Sequence, residues 1–229
     1  MKRFFALFLA LLVLSGCKGR TVMKSEDFKL SNTDLAYHYW TEVNSGKEAL
    51  QDLVDLSVSL DAQMYDETRT WQDYLTDHVL EMVEETMSLV FAAQEEGFEL
   101  PTEYEDLLDD VIVNFTDAAM GLGYKNVSAY LKDIYGRGAE EESFREYLYN
   151  VHLASAYADE LSYRSEPTEE QVLAYMDRHP VYGEDDMEQA RQDLHSENYN
   201  NAVLTIINSY PFTVDRDNIR ITAPKGPKE

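Results

Sequence analysis

The chain has 229 residues and a formal net charge of −25. That length allows one fairly large domain or two small ones, and that charge argues against nucleic acid and against an anionic membrane surface as partners. Hydrophobic residues make up 44% of the chain, enough to build a core, so a disordered chain is excluded; the acidity leaves room for basic partners, unfolded basic polypeptides among them, and serves more plainly as a solvated surface that keeps the protein soluble.

Residues 1–16 read as a secretory signal peptide. Lys2 and Arg3 precede the apolar run Phe4–Leu14, and the small pair Ser15-Gly16 precedes Cys17, the order of a basic start, an apolar centre and a cleavage site. The run is too short to span a membrane, which takes about twenty apolar residues. Cys17 is the only cysteine. The stretch Leu14-Ser15-Gly16-Cys17 resembles the lipobox of bacterial lipoproteins, and the resemblance implies cleavage before Cys17 and diacylation of its sulfur. Two acyl chains hold a protein at a bilayer where one does not, since each buried methylene contributes about 0.8 kcal/mol. Lys18 stands where an acidic residue would signal inner-membrane retention in a two-membrane cell. The alternative is an ordinary signal peptide with a chance cysteine, although a secreted chain otherwise empty of cysteine has no structural use for one. Removing residues 1–16 leaves 17 basic and 44 acidic residues, a net charge of −27. Acylation of Cys17 leaves no thiol for a disulfide, a metal or a nucleophile.

Residues 18–30 show no sustained period, and with Cys17 they are expected to form a flexible spacer, 17–30. A short helix is expected from about Asp34 to Val43, with Ser31 to Thr33 as cap candidates and Gly46 as its stop; its face carries Leu35, Tyr37, His38 and Trp40. From Lys47 to Asp66 the signals conflict and read as helix plus loop. Thr70-Trp71-Gln72-Asp73 approximates a capping box, and Trp71, Tyr74, Leu75, Met82, Val83, Met87, Val90 and Phe91 follow a helical spacing up to Gly97, a left-handed cap position. Pro101, Thr102 and Glu105 open the next helix by the same grammar, with Leu107, Leu108, Val111, Ile112 and Phe115 on its face and Gly121 and Gly123 at its end. A shorter helix is expected over Val127–Tyr135, stopping at Gly136, and a long one over Glu140–Arg164. Pro167-Thr168-Glu169-Glu170-Gln171 opens a further helix through Met176, Pro180 to Gly183 is a turn, and residues 184–209 form the last long helix. Asn218–Thr222 alternates as one short strand would, and residues 224–229 are a disordered tail. Helix after helix punctuated by glycine and proline predicts an all-α domain over 31–223.

Chemistry-bearing patterns are sparse. The five histidines, His38, His78, His152, His179 and His195, lack the Glu three positions upstream that a di-iron bundle places on one helix face; Leu35, Leu75, Tyr149, Met176 and Gln192 stand there. The zinc-protease, phosphate-loop, dinucleotide and esterase-elbow motifs are absent. Gly121-Leu122-Gly123 fits a helix end, and the acidic runs Glu140–Glu142 and Glu184–Asp186 fit helix starts, where they meet the helix dipole favourably. Asp215 and Asp217 do not continue into a calcium loop, because Ile219 takes the next alternate position and the glycine is missing. No catalytic residue, metal or cofactor is expected. Sixteen tyrosines offer flat apolar faces with wet tips, suited to varied polypeptides, although the helical spacing of Tyr147 and Tyr157 is more simply core lining.

Thr70-Trp71-x-x-Tyr74-Leu75, then Ala92-Ala93-x-x-x-Gly97, Tyr130-Leu131-x-x-x-Tyr135-Gly136, Phe144-Arg145-x-Tyr147-Leu148 and Pro167-Thr168-Glu169-Glu170-Gln171-Val172 with Tyr175, follow one another in an order that resembles the helical chaperone module shared by SurA, PrsA and the C-terminal part of trigger factor. The resemblance covers roughly residues 31–210. In that family the helix ending near Tyr175 commonly feeds a parvulin prolyl-isomerase domain of on the order of a hundred residues. Here only Met176 to Gly183 intervene, so the resemblance implies the chaperone half without the isomerase. It implies a protein lipid-anchored to the bacterial cell membrane on its extracytoplasmic side, binding unfolded or newly exported polypeptides non-covalently in a cleft between helices. The alternative is an envelope scaffold or partner-binding lipoprotein on the same helical frame, and an enzymatic reading would need an acid pair working in a pocket.

Overall fold

The computed structural model describes residues 20–222 apart from Asp27. Cys17, the signal peptide and the tail 224–229 lie outside the described residues.

The described chain opens with strand β1 (Thr21–Lys24), which pairs antiparallel with β2 (Lys29–Ser31). This corrects the expectation of a spacer through residue 30. A bulge between Thr21 and Met23 lets two successive side chains, Val22 and Met23, turn inward, since a bulge breaks the strict alternation of a strand. Both are fully buried, and Leu30 joins them. The third strand, β3 (Thr213–Val214), pairs with the other side of β1 and gives the order β2-β1-β3. The strand expected at Asn218–Thr222 does not form. Its backbone is engaged by side chains and not by a ladder: Asn32 donates through Nδ2 to the Asn218 carbonyl and accepts at Oδ1 from the Arg220 amide, while Asn218 donates to the Thr21 carbonyl.

Helix α1 (Asn32–Ser45) starts at a reciprocal capping box between Ser31 and Asp34 and ends at Gly46. It buries Leu35, Tyr37, Tyr39 and Val43; His38 and Trp40 are only half-buried. Between α1 and Thr70 the helical pieces are a four-residue α2 (Lys47–Leu50) and a 3-10 turn at Leu60–Ala62. Helix α3 (Trp71–Glu96) carries the expected Thr70–Asp73 box and closes on Gly97 at φ 70°, a left-handed conformation that glycine adopts without steric cost. Helix α4 (Thr102–Gly121) begins one residue earlier than a Thr102–Glu105 box requires. Pro101 is its cap, Thr102 is already helical, and no side chain caps the end. A proline at this boundary gives up no needed donor, because the first amides of a helix have no partner within it. Helices α5 (Val127–Tyr135), α6 (Glu141–Arg164), α7 (Glu169–Arg178) and α8 (Met187–Ser209) follow. The all-α expectation with a short strand element is met, the sheet being small and built from both ends of the described chain.

Helix α3 is the axis. It packs against α6, α8 and α1 and contributes Val79, Val83, Val90 and Ala93 to a core shared with Leu153 and Tyr157 of α6 and with Val22, Met23 and Leu30 of the sheet. A second core joins Tyr37 of α1, Ile112 of α4, Val127, Leu131 and Tyr135 of α5 and Phe144 of α6. The half-buried Trp40 touches both. Gly138, at φ 101°, lies so close to α1 that a Cβ there would meet Thr33 Oγ1 at 2.6 Å. A small third core holds α7 to the first half of α8 through Val172, Tyr175, Ala190 and Leu194.

Candidate functional site

Tyrosine accounts for much of the interior. Tyr157 is 1% exposed and Tyr147 is half-buried against the second core, so the two helically spaced tyrosines line the body. The Tyr37 hydroxyl sits at the start of α6, 2.9 Å from Ser143 Oγ, and accepts from the Glu140 amide at 3.1 Å. Burial pushes it up to about 12, which keeps it a neutral hydrogen-bonding peg. Tyr135, Phe144 and Tyr147 surround its ring at 5.1–5.4 Å.

The five histidines are scattered. His38 lies edge-on to Tyr147 at 4.7 Å, and burial lowers its pKa to about 4. His78 approaches Glu42 at 3.8 Å, His152 lies 6.0 Å from Tyr104, His179 packs on Tyr175 at 4.1 Å, and His195 Nε2 lies 2.9 Å from the Ser162 carbonyl. Among the described residues no group of three or more His, Cys, Asp or Glu side chains is placed to hold a metal ion. The runs Glu140–Glu142 and Glu184–Asp186 do stand at the starts of α6 and α8, and Gly121 ends α4. Among the described residues no helix is long and apolar enough to cross a membrane.

The feature that asks for a partner is the segment between α2 and α3, where the sequence signals conflict. Leu50, Val54 and Leu60, each 7–8% exposed, pin it into the main core. Between and just after these pins Leu53 is 65% exposed, Val58 44% and Met64 58%. Burying side chains of this kind is worth about 1.5–3 kcal/mol each, so their exposure at neighbouring positions of one compact loop is a standing cost. The loop is nevertheless ordered, and one side chain orders it. Gln63 accepts from the Asp55 amide at 2.9 Å through Oε1 and donates through Nε2 to the carbonyls of Asp55 and Val58 at 2.9 and 3.0 Å. Its own carbonyl accepts from the Trp71 amide, and Met64 bridges to Thr70. Tyr65 stacks on Tyr74 at 4.0 Å, with the Arg69 guanidinium over its ring at 5.4 Å.

An open groove of about 670 Å³ runs along this loop, lined among others by Lys47, Asp52, Leu53, Leu56 and Gln63. Segment 47–69 holds six acidic residues (Glu48, Asp52, Asp55, Asp61, Asp66, Glu67) against two basic ones, Lys47 and Arg69. Arg69 is committed to Asp66 at 2.8 Å. Two of the carboxylates are fixed as anions. The Ser57 hydroxyl and amide lower Asp55, and the Thr68 amide, followed by Arg69, holds Asp66 well below the usual carboxylate range. What this arrangement can do is non-covalent: it presents aliphatic side chains among persistent negative charges on a pre-formed surface. A second depression, of about 510 Å³, lies along β1 and β3 between Lys24 and Arg216, and Arg216 is itself bonded to Asp77.

The sequence reading placed polypeptide contact in a cleft between helices without naming its faces. The nearest signal in the sequence was the broken pattern of residues 47–66, with apolar residues too frequent for a loop and too irregular for a helix. No family model, curated relative or solved structure matches the chain.

Proposed function

We propose that the protein is a chaperone-like, lipid-anchored extracytoplasmic protein that holds unfolded or newly exported polypeptides without chemistry and without prolyl isomerase activity. The reading is carried by the exposed Leu53, Val58 and Met64 on a loop that is rigidly built and rimmed by acids. Contiguous exposed apolar surface marks contact with other chains, and Leu53 lies beside Leu56 in the lining of one open groove. The likeness to the SurA/PrsA module rests on the order of the sequence motifs, and the α7–α8 connection, residues 179–186, is too short to hold a parvulin domain at that point. Anchoring rests on Cys17 and its lipobox-like context. The test is a refolding assay in which an aggregating client is diluted into buffer with and without the purified protein. Suppression of light scattering at stoichiometric amounts is expected, and unchanged scattering overturns the reading.

A scaffold that binds one dedicated partner is the second reading. Helix α4 favours it, burying only Ile112 and Ala119 fully while Leu107, Val113 and Met120 are each more than half exposed. A pull-down that returns one stoichiometric partner, with no effect on refolding clients, would select it over the first.

A further inference from the structure

Resting on the polypeptide-binding reading, we propose that the groove of residues 47–65 is the docking site, and that its occupant is an extended, unfolded segment carrying aliphatic side chains flanked by lysine or arginine.

Three observations define that occupant. The first is charge. Asp52 and Asp55 line the groove, Asp61, Asp66 and Glu67 stand in the same loop, and Lys47 is the one cation in the segment not already tied to a carboxylate among the described residues. An acidic or neutral segment laid there would desolvate Asp52 and Asp55 with no cation but Lys47 in the groove lining, whereas a basic one supplies further cations. Each such exposed pair contributes only about 0.2–1 kcal/mol, so charge here selects a partner more than it provides affinity.

The second is apolar contact. Leu53 and Leu56 line the groove, and the exposed Val58 is tied beside it through its carbonyl's bond to Gln63. Covering such side chains removes apolar area from water at about 25 cal/mol per Å². The third is rigidity. The Gln63 clamp and the Asp55–Ser57 bonds, at 2.6 and 2.9 Å, fix the loop before any partner arrives. A pre-formed surface spends little conformational entropy on binding. The groove is wide open to solvent and not a closed pocket, which fits surface contact with a chain better than enclosure of a compact ligand.

The test uses two short, unstructured, fluorescent peptides with the same leucines, one with lysines between them and the other with glutamates. Anisotropy titrations with the purified protein should show the lysine peptide binding at least about tenfold more tightly, a difference of about 1.4 kcal/mol. Its binding should weaken several-fold when salt is raised from roughly 0.05 to 0.5 M, as the screening length shrinks. Leu53→Ser with Val58→Ser should lower affinity about fivefold or more with the thermal midpoint unchanged. Asp52→Asn with Asp55→Asn should abolish the preference between the peptides, and Asn at 55 can still accept the Ser57 bonds. Equal binding of the two peptides, or loop variants that bind as the parent does, overturns the site assignment. If aggregation of refolding clients is still suppressed in that case, the chaperone reading stands and the site lies elsewhere; if suppression is also absent, the chaperone reading itself has failed.

Discussion

Helix α3 and the 51–69 segment that leads into it meet at Thr70 and share one core, yet they are ordered by opposite means. Helix α3 contributes eleven buried residues along its length, so its stability comes from apolar surface withdrawn from water. The segment before it contributes Val54 and Leu60 as pins and is otherwise held by backbone turn bonds and by polar side chains bonding to its backbone, above all Gln63. That difference frees its remaining aliphatic residues to face outward. A loop ordered by its own hydrogen bonds can expose leucine and methionine and still hold its shape. Helix α3, ordered by burial, leaves only Met82 of its large apolar side chains exposed.

The largest expected effect lies on the buried side of the comparison. Phe144→Ala, at a ring 1% exposed among Tyr37, Phe115, Tyr135 and Tyr147, should cost about 3–5 kcal/mol and lower the urea midpoint sharply. Next comes pH. The folded-state pKa of His38 is lowered from 6.5 to about 4 by burial, so the unfolded chain binds the proton first. Stability from this group is full above the unfolded value and is lost as pH falls from about 6.5 towards 4, by on the order of 2 kcal/mol. Urea unfolding across that window should show the slope, and His38→Gln should remove most of it.

Smaller effects belong to the loop. Gln63→Ala removes three bonds and should cost about 1–2 kcal/mol, read as faster amide exchange at Asp55 and neighbouring positions with α3 still protected. Leu53→Ser and Met64→Ser should stay within about 0.5 kcal/mol of the parent in stability, because nothing in the fold depends on covering them. If either serine substitution destabilises the protein as the Phe144 substitution does, the contrast between the two regions is wrong.

Sequence patterns reached these regions unequally. The boundaries of α3 and the end of α5 were legible because their signals are local: the Thr70–Asp73 box and Gly97 for one, Gly136 for the other. Thr102 misled, since a box sequence beside Pro101 lost to the proline's readiness to stand at the boundary. The N-terminal hairpin escaped because its strands are three and four residues long and its third strand lies about 190 positions away; no local period can announce such a pairing. Phe28-Lys29-Leu30 alternates, but the apolar pair Val22-Met23 stands at successive positions because of the bulge, so residues 18–30 carry no sustained period and are expected to be a spacer. The candidate groove was hidden for a related reason. Its order comes from the single side chain of Gln63 reaching back eight residues to Asp55, and neither helical nor strand periodicity reports a clamp of that kind.

The central claim is that other polypeptides are gripped by the exposed loop and not by the packed helices. Hydrogen–deuterium exchange with and without a saturating unfolded client measures this directly. Protection should rise at residues 51–69, with α3 and α6 unchanged. Protection confined to other surfaces, or no change at 51–69 while the client is demonstrably bound, would contradict it.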